Sequence, residues 1–491
     1  MLRPMLNQLN KLQTTQPWWY TALLGAVAAT GFAPLYLWPL TVFCLGLFFL
    51  AAFKQPPTAK KAFLVQCFWF YFGFSVAALW WVGSSFRYTD AGLWGLAAAP
   101  FAVAGVAVGL TLYMLPAFYA VWRLWPKTPI VLRPILLATA WVTVEVLRSL
   151  SVYGFPWHLV GYTLAGDDYI LQAASVGGVW LLSFLVILPA AAYAARPKLG
   201  FMLFWILPLC MAYTGGMVRL ANQPAMVHQE GPQKVQLVQP NTPQDQKWQI
   251  SGIVTAQKVL SQLKEQVAPN TLTVFPEVAI TMLLNNIPHF PTMVGGLLEE
   301  GSVAVIGIPH EAEQNGALVY LNSMIAIDHQ GRQLDMFNKQ LLVPFGEFVP
   351  LRDYLPSFIK QLAQGGDYRG GIGPRVLNLG PFGDALPLIC YESVFPYTTL
   401  KAAKVHKANL ILNLTNDGWF DGTTGGYQHL AIAKVRSVET GLPQLRVANT
   451  GITAFINGYG IIEKRAKMRR ASQIDYLIPK QSKTFLAKMT P

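Results

Sequence analysis

The most restrictive feature of the sequence is a succession of apolar runs that fills its first 215 residues. A transmembrane helix needs about 20 consecutive apolar residues, and the backbone of a spanning segment must satisfy its own hydrogen bonds. Runs of roughly this length, separated by short polar breaks, lie at 18–36, 38–53, 62–83, 92–124, 135–153, 169–195 and 199–217. They predict a multi-pass α-helical membrane domain over residues 1–218, with about seven helices. The first two runs are short, so a hairpin or a re-entrant segment is an alternative there.

The overall composition excludes several other classes of protein. Hydrophobic residues make up 53% of the chain and charged residues only 12%, against about 45–50% and 25% in ordinary globular domains. Disordered, collagen-like and coiled-coil proteins are therefore excluded. The net charge of +13 is compatible with nucleic acid or with the anionic face of a membrane, and the positions of the charges distinguish these two.

The basic residues alternate between the breaks as the positive-inside rule requires. Arg87 and Arg148 lie in or beside one set of breaks, whereas the other set carries ten basic residues. Those ten are Arg3, Lys11, Lys54, Lys60, Lys61, Arg123, Lys127, Arg133, Arg196 and Lys198. The amino terminus is therefore predicted to be cytoplasmic and the residues after 218 to lie outside, with no nucleic-acid partner required. A cleaved signal peptide in the first run is an alternative that leaves this orientation unchanged.

Residues 219–491 have the composition of a water-exposed domain with alternating strands and helices. The pattern predicts strands at 234–238, 272–275, 303–308, 323–327, 385–389 and 410–414, and helices at 253–267 and 427–440. This alternation is typical of an α/β layered domain with a largely buried sheet. Residues 480–491 contain no run long enough to span a membrane, so no transmembrane helix is expected after this domain.

Cys390 is the one cysteine of the predicted outer domain. Cys44, Cys67 and Cys210 lie inside apolar runs, where a thiol is usually a small buried apolar group. Cys390 instead follows the predicted strand 385–389, and the ends of strands are where sheet proteins place reactive groups. A thiol nucleophile needs a base for its proton and a cation or donor for the oxyanion.

Two other segments supply such groups. Glu277 follows the strand 272–275, and Lys339 lies eight residues before Glu347. Taken singly, by composition alone, Glu277 is better interpreted as a solvated loop carboxylate, Lys339 as a surface cation and Glu347 as its salt-bridge partner. His310 and His429 are alternative bases, although a polar surface role is expected for both. The chain has no paired CxxC motif and no His-rich cluster, so a structural zinc site is not predicted.

Taken together, the motifs around these residues resemble a known family. Pro276-Glu277, Lys339 with the segment 343–348, and Cys390-Tyr391-Glu392 resemble the Glu-Lys-Cys site of the nitrilase superfamily, and within it the apolipoprotein N-acyltransferase family. Further motifs resemble this family in order along nearly the whole chain: Gly154-Phe-Pro-Trp157, Gly161-Tyr162, Asn416-Asp-Gly-Trp-Phe420, Arg436-Ser-Val-Glu439 and Arg446-Val-Ala-Asn-Thr-Gly451.

The resemblance implies a fold and a role for each site residue. The fold is a nitrilase-like α-β-β-α sandwich over residues 219–491, on the periplasmic side of a bacterial inner membrane. Glu277 would be the general base, Cys390 the nucleophile and Lys339 the oxyanion stabiliser. Four further residues match supporting or substrate-binding positions of the family: Glu347, Tyr391, Glu392 and Trp248.

The implied reaction is a two-step, ping-pong acyl transfer. An acyl chain passes from a phospholipid to a thioester on Cys390, and then to the α-amino group of the diacylglyceryl-cysteine that begins an apolipoprotein. Lys339 is expected to lower the pKa of the thiol. No metal or other cofactor is implied, and a monomer is the expected state. The family usually has a further transmembrane helix after the catalytic domain, and in this respect the sequence departs from it.

Two other functions are compatible with parts of this pattern. A membrane-tethered amidase would use the same three residues with water as the second nucleophile. A transporter or assembly factor with a degenerate domain would need none of them. The presence of all three catalytic residue types favours an enzyme.

Overall fold

The computed structural model describes residues 17–56, 58–88, 92–196, 198–223, 234–247, 249–265, 268–314, 316–350, 354, 368–373, 375–405, 408–420 and 422–477. The described residues fall into two compact units, one within 1–83 and 97–219 and the other within 84–96 and 220–491. The segment after residue 477, for which no transmembrane helix is expected, lies outside the described residues.

The first unit is helical. Its helices are α1 (Trp18–Ala28), α2 (Trp38–Phe53), α3 (Lys60–Leu79), α4 (Leu93–Leu124, which begins in the second unit), α5 (Arg133–Ser149), α6 (Asp168–Leu171), α7 (Ala174–Ala195) and α8 (Leu199–Ala221). Every predicted apolar run overlaps at least one of them. Four helical spans of the described residues are long and apolar enough to cross a membrane: Lys60–Tyr88, Leu93–Lys127, Ala174–Ala195 and Leu199–Ala221. The multi-pass helical character is thus confirmed, and the count of seven crossings stays a prediction.

Two buried charged side chains of α5 support an irregular segment that follows this helix. Arg148 donates to the carbonyl oxygens of Gly154 (2.9 Å) and Phe155 (2.8 Å). Glu145 Oε1 accepts from the backbone N–H of Val160 at 2.8 Å. Backbone groups outside a regular helix need such partners where water is absent. These two side chains therefore satisfy three backbone groups between α5 and α6.

The second unit contains two sheets. Its described strands are β1 (Lys234–Gln239), β2 (Thr271–Val274), β3 (Val303–Gln314), β4 (Ala317–Asp328), β5 (Gln333–Asn338), β6 (Leu377–Asn378), β7 (Asp384–Ile389), β8 (Leu410–Thr415), β9 (Gln444–Ala448), β10 (Ala454–Ile456), β11 (Ile462–Arg465) and β12 (Ser472–Leu477). Among the described residues each sheet has six strands, in the orders β12-β1-β2-β3-β4-β5 and β11-β10-β9-β8-β7-β6. All six predicted strands are confirmed.

The helices of this unit are α9 (Gln244–Lys247), α10 (Gly252–Lys264), α11 (Phe290–Gly295), α12 (Pro396–Val405) and α13 (Gly425–Thr440). Helices α10 to α13 cover the outer faces of the two sheets. Alternate residues of β3 face opposite sides of the sheet. Val303 and Val305 pack between the two sheets, whereas Ala304 and Ile306 pack against α10 and α11. Because both faces of this strand are apolar, both are buried. The α-β-β-α sandwich is confirmed.

Strand direction brings the ends of separate strands to one edge. In the first sheet β2 and β3 are parallel, and two antiparallel steps from β3 to β4 and β5 give β5 the same direction. In the second sheet β7, β8 and β9 are parallel. The residues that follow β2, β5, β7 and β8 are the ones that carry the candidate chemistry.

Candidate active site

The three predicted catalytic residues each follow a strand. Glu277 lies three residues after the end of β2, Lys339 directly follows β5, and Cys390 directly follows β7. Cys390 has φ +51°, in the left-handed region that a residue with a Cβ rarely adopts. Such strain persists only where the surrounding structure holds it, and it is common at active sites.

Lys339 joins two carboxylates in the interior. Its Nζ lies 3.1 Å from Glu277 Oε1 and 2.8 Å from Glu347 Oε1. Lys339 is 1% exposed, and Glu277 is also buried. Burial alone would lower the pKa of Lys339, but the two carboxylates outweigh burial and hold that pKa well above its ordinary value. Lys339 is therefore a fixed cation, and the structure brings Glu277, Lys339 and Glu347 together.

Two asparagines complete the contacts of these carboxylates. Asn322 Nδ2 donates to Glu277 Oε1 (2.9 Å) and to Glu347 Oε1 (3.0 Å). The backbone N–H of Asn416, just after β8, donates to Glu277 Oε2 at 2.8 Å. Both oxygens of Glu277 are thus held, from both sheets. Asn322 was missed from the sequence because it lies mid-strand in β4, with no motif around it.

Glu392 ties the loop of Lys339 to the loop of Cys390. Its Oε1 accepts from the backbone N–H of Gln340 and its Oε2 from that of Ile389, both at 2.7 Å. Burial raises the pKa of Glu392 to about 7. Tyr391 is buried beside it, with its ring edge-on to Phe395 at 5.0 Å. These contacts hold the backbone on either side of Cys390 in place.

Lys339 acts to lower the pKa of the Cys390 thiol, as expected, but the expected net lowering of that pKa is wrong. Burial and then the charge of Glu277 raise the pKa of Cys390 to about 12, and Lys339 opposes them only in part. The charges of Lys339 and Lys247 outweigh burial at Glu277 and keep the pKa of that carboxyl below its ordinary value. The resting pair is therefore a thiol and a carboxylate, and the thiol needs a base at the moment it reacts.

Lys247 is a further buried cation of the site, and no motif in the sequence indicates it. It ends α9 with its side chain 3% exposed, and its Nζ donates to the backbone oxygen of Glu277 at 3.2 Å. Burial lowers the pKa of Lys247 to about 8, and the charges of Glu277 and Cys390 oppose this shift. Residues 244–247 are all polar, so their composition does not indicate that Lys247 is buried. Trp248, which follows Lys247 and is a predicted supporting residue, lies outside the described residues.

Both histidines considered as alternative bases are buried, which corrects their expected surface roles. His310 Nδ1 lies 2.9 Å from Ser323 Oγ, and His429 Nδ1 lies 2.8 Å from Asp417 Oδ1. Strand pairing buries His310 and helix packing buries His429. A single polar residue in the sequence does not indicate such burial. Across the described ranges no three His, Cys, Asp or Glu side chains form a group that would hold a metal ion.

The arrangement provides the groups that acyl transfer needs. Glu277 is an ionised carboxylate that can accept a proton, Cys390 is a thiol at a strained turn, and Lys339 is a permanent cation. A base, a nucleophile and a charge stabiliser suffice to form and break a covalent acyl intermediate.

Comparison with protein families matches both units of the chain. Residues 24–192 match the family model described as apolipoprotein N-acyltransferase N-terminal domain. Residues 234–469 match the carbon-nitrogen hydrolase model. The second match includes Glu277, Lys339 and Cys390.

Curated relatives resemble the chain over most of its length. An apolipoprotein N-acyltransferase of Brucella suis biovar 1 is 33% identical over 429 residues, which cover 84% of this chain and 79% of that protein. The apolipoprotein N-acyltransferase of Rickettsia prowazekii is 30% identical over 479 residues, covering 94% and 92%. Among solved structures, a nitrilase-superfamily amidase from Nesterenkonia AN1 has a TM-score of 0.38 at 16% identity, covering 52% of this chain and 92% of that one.

Proposed function

The chain belongs to the apolipoprotein N-acyltransferase family, and from this premise we propose that it transfers a phospholipid acyl chain to the terminal amine of diacylglyceryl lipoproteins, through a Cys390 thioester. The observation that carries the mechanism is the buried Lys339, which is paired to Glu277 and Glu347 within the same site as Cys390.

The first half-reaction forms the thioester. Glu277 takes the proton of the Cys390 thiol as the sulfur attacks the ester carbonyl of the phospholipid. Lys339 stabilises the oxyanion that develops on the former carbonyl oxygen. When the tetrahedral intermediate collapses, the bond to the glycerol oxygen breaks, and that oxygen takes the proton from Glu277. The products are a lysophospholipid and acyl-Cys390.

The second half-reaction transfers the acyl group to nitrogen. The neutral α-amine of the lipoprotein attacks the thioester carbonyl, and Glu277 takes a proton from the nitrogen. Collapse of the second intermediate breaks the carbon–sulfur bond, and Glu277 returns the proton to sulfur. The net reaction converts an ester and an amine into an amide and an alcohol, and it restores the enzyme.

The membrane location of the substrates fits the first unit. Both substrates carry acyl chains, so a site that receives them must open to a bilayer. Four described helices are long enough to cross one, and the alternating basic residues favour a cytoplasmic amino terminus. We therefore place the enzyme in a bacterial inner membrane with its catalytic unit on the periplasmic side.

Mass spectrometry of the purified full chain in detergent tests this function. We expect phosphatidylethanolamine to add one fatty-acyl mass to the protein, and peptide mapping to place it on Cys390. A synthetic diacylglyceryl-cysteine peptide should then remove that mass and gain it as an amide. An acyl-enzyme that water discharges as fast as the peptide would favour the amidase instead. The absence of any increment, with the phospholipid intact, would contradict both reactions.

Lys247 provides a test of the charge balance in the site. The positive charge of protonated Lys247 stabilises the negative charge that moves from Glu277 towards the sulfur and the oxyanion. Lys247 loses its positive charge as the pH rises through about 8. We expect wild-type thioester formation to fall above that pH. Lys247→Met should be about ten-fold slower at pH 7, since one buried charge contact is worth roughly that factor, and it should lack the alkaline fall.

The matched control is the exposed Lys264, at the end of α10. Lys264→Met should keep both the wild-type rate and the alkaline fall. A Lys247→Met enzyme with an unchanged rate and pH profile would contradict a role for Lys247 in the charge balance.

A further inference from the structure

The backbone carbonyl of Cys390 lies against two polar side chains. Ser393 Oγ donates to it at 3.0 Å, and His429 Nε2 lies 3.3 Å from it. The same Ser393 oxygen lies 2.9 Å from His429 Nε2. Both residues are fully buried, one in the turn that begins with Cys390 and the other on α13. The left-handed conformation of the nucleophile is thus supported from beneath.

His429 is in turn held by a buried ion pair. Its Nδ1 lies 2.8 Å from Asp417 Oδ1, and Asp417 Oδ2 accepts from Arg446 at 2.7 Å. Arg446 and His429 hold the pKa of Asp417 at about 2, against the effect of its burial. Because Asp417 is an acceptor only, the Nδ1 of His429 carries the proton that faces it. Burial and the charge of Arg446 lower the pKa of His429, so the imidazole is neutral and its Nε2 is an acceptor.

This protonation pattern gives Ser393 a defined place. The Ser393 hydroxyl has one proton, which it shares between His429 Nε2 and the Cys390 carbonyl. Asp417 Oδ1 also accepts from Thr415 Oγ1 at 3.0 Å, at the end of β8. One buried carboxylate is therefore linked, through His429 and Ser393, to the backbone carbonyl of the nucleophile.

Burying these charged groups costs free energy of folding, and the packing of the core does not require charged groups at these positions. Burying an ion pair often stabilises a fold less than apolar residues of similar volume would. The network ends on the one strained residue of the site that must present a reactive atom. These two observations together favour a role in the reaction.

We propose that Arg446, Asp417, His429 and Ser393 form a positioning network that orients the Cys390 sulfur for attack on the acyl donor. The inference rests on the proposed acyl transfer, because it assigns these residues to its first step. None of the four is a catalytic residue, since each acts through Cys390. Small displacements of a nucleophile from its attack geometry cost large factors in rate.

The test compares two buried serines in the full-length enzyme. Ser393→Ala removes the donor to the Cys390 carbonyl, whereas Ser437→Ala removes a hydrogen bond to Gln444 (3.1 Å) further along α13. Single-turnover formation of acyl-Cys390 from phosphatidylethanolamine is measured over a range of lipid concentrations, together with thermal unfolding. We expect Ser393→Ala to lower the maximal acylation rate about ten-fold or more, without a change in the half-saturating lipid concentration. Ser437→Ala should keep the wild-type rate.

A second variant separates positioning from loss of folded protein. His429→Gln should also slow acylation, and the double variant with Ser393→Ala should be no slower than the slower single variant, because the two residues act in series. Equal losses in both serine variants, or losses that follow only the folded fraction, would overturn the proposal. So would full-rate acylation by Ser393→Ala. A wild-type enzyme that forms no thioester would instead refute the acyl transfer itself.

Discussion

Cys390→Ala is expected to form no acyl-enzyme and to lose turnover to about 10⁻⁴ of the wild-type rate or below, since removing a covalent nucleophile removes the pathway it supports. The chain has four cysteines. Cys44 and Cys67 are buried in the helical unit, and Cys210 is exposed on α8. None of these three follows a strand beside a carboxylate and a lysine. Intact-protein mass spectrometry with phosphatidylethanolamine and transfer to a diacylglyceryl-cysteine peptide measure the two losses.

Cys210→Ala is the matched control, because it removes an exposed thiol from the same protein. It should acquire one acyl group on Cys390 and transfer it at the wild-type rate. An acyl mass on Cys390→Ala, or peptide acylation by that variant above the uncatalysed level, would show that sulfur at this position is not the acyl carrier.

The parts of the fold that could be predicted are those whose residues carry a strong local signal. Residues 303–308 form a continuous apolar run and residues 410–414 an apolar run interrupted only by Asn413, because both strands are buried on both faces, and β3 and β8 form at these positions. By contrast β5 and β11 contain charged residues, and neither reads as a buried run. Their positions depend on pairing with β4 and β10, which no local pattern records.

The residues of the site also differ in whether a local sequence signal indicates them. Glu277 and Cys390 are predictable because each follows a predicted strand, and Lys339 is predictable because its motif, together with theirs, resembles a family. Lys247 and His429 were not selected as part of the site, since their burial depends on which distant elements pack over them. The direction of the pKa shift at Cys390 was mispredicted for a related reason. A nearby lysine can be read from a motif, but the burial that outweighs its charge cannot.

Glu277→Gln is the second variant for which a very large loss is expected, because the thiol does not ionise by itself. With the pKa of Cys390 at about 12, only about 10⁻⁵ of the thiol is thiolate at pH 7. Glutamine keeps the shape of the side chain but cannot accept the proton, so single-turnover acylation should fall by about 10³- to 10⁴-fold. The substitution also removes the negative charge of Glu277, which raises the pKa of the Cys390 thiol, so this pKa falls in the variant. The residual rate then comes from thiolate that forms by loss of the proton to solvent.

The pH dependence of that residual rate is the decisive part of the result. Between pH 6 and pH 7, below the pKa of Lys247, the wild-type rate should change little, because Glu277 is already ionised and its pKa is below the ordinary value. The Glu277→Gln rate should rise about ten-fold for each pH unit, as the thiolate fraction does below its pKa. Glu300→Gln, at an exposed glutamate, should match the wild type in rate and profile. A Glu277→Gln enzyme that is slow but has the flat wild-type profile would mean that the carboxylate positions the site without taking the proton from sulfur.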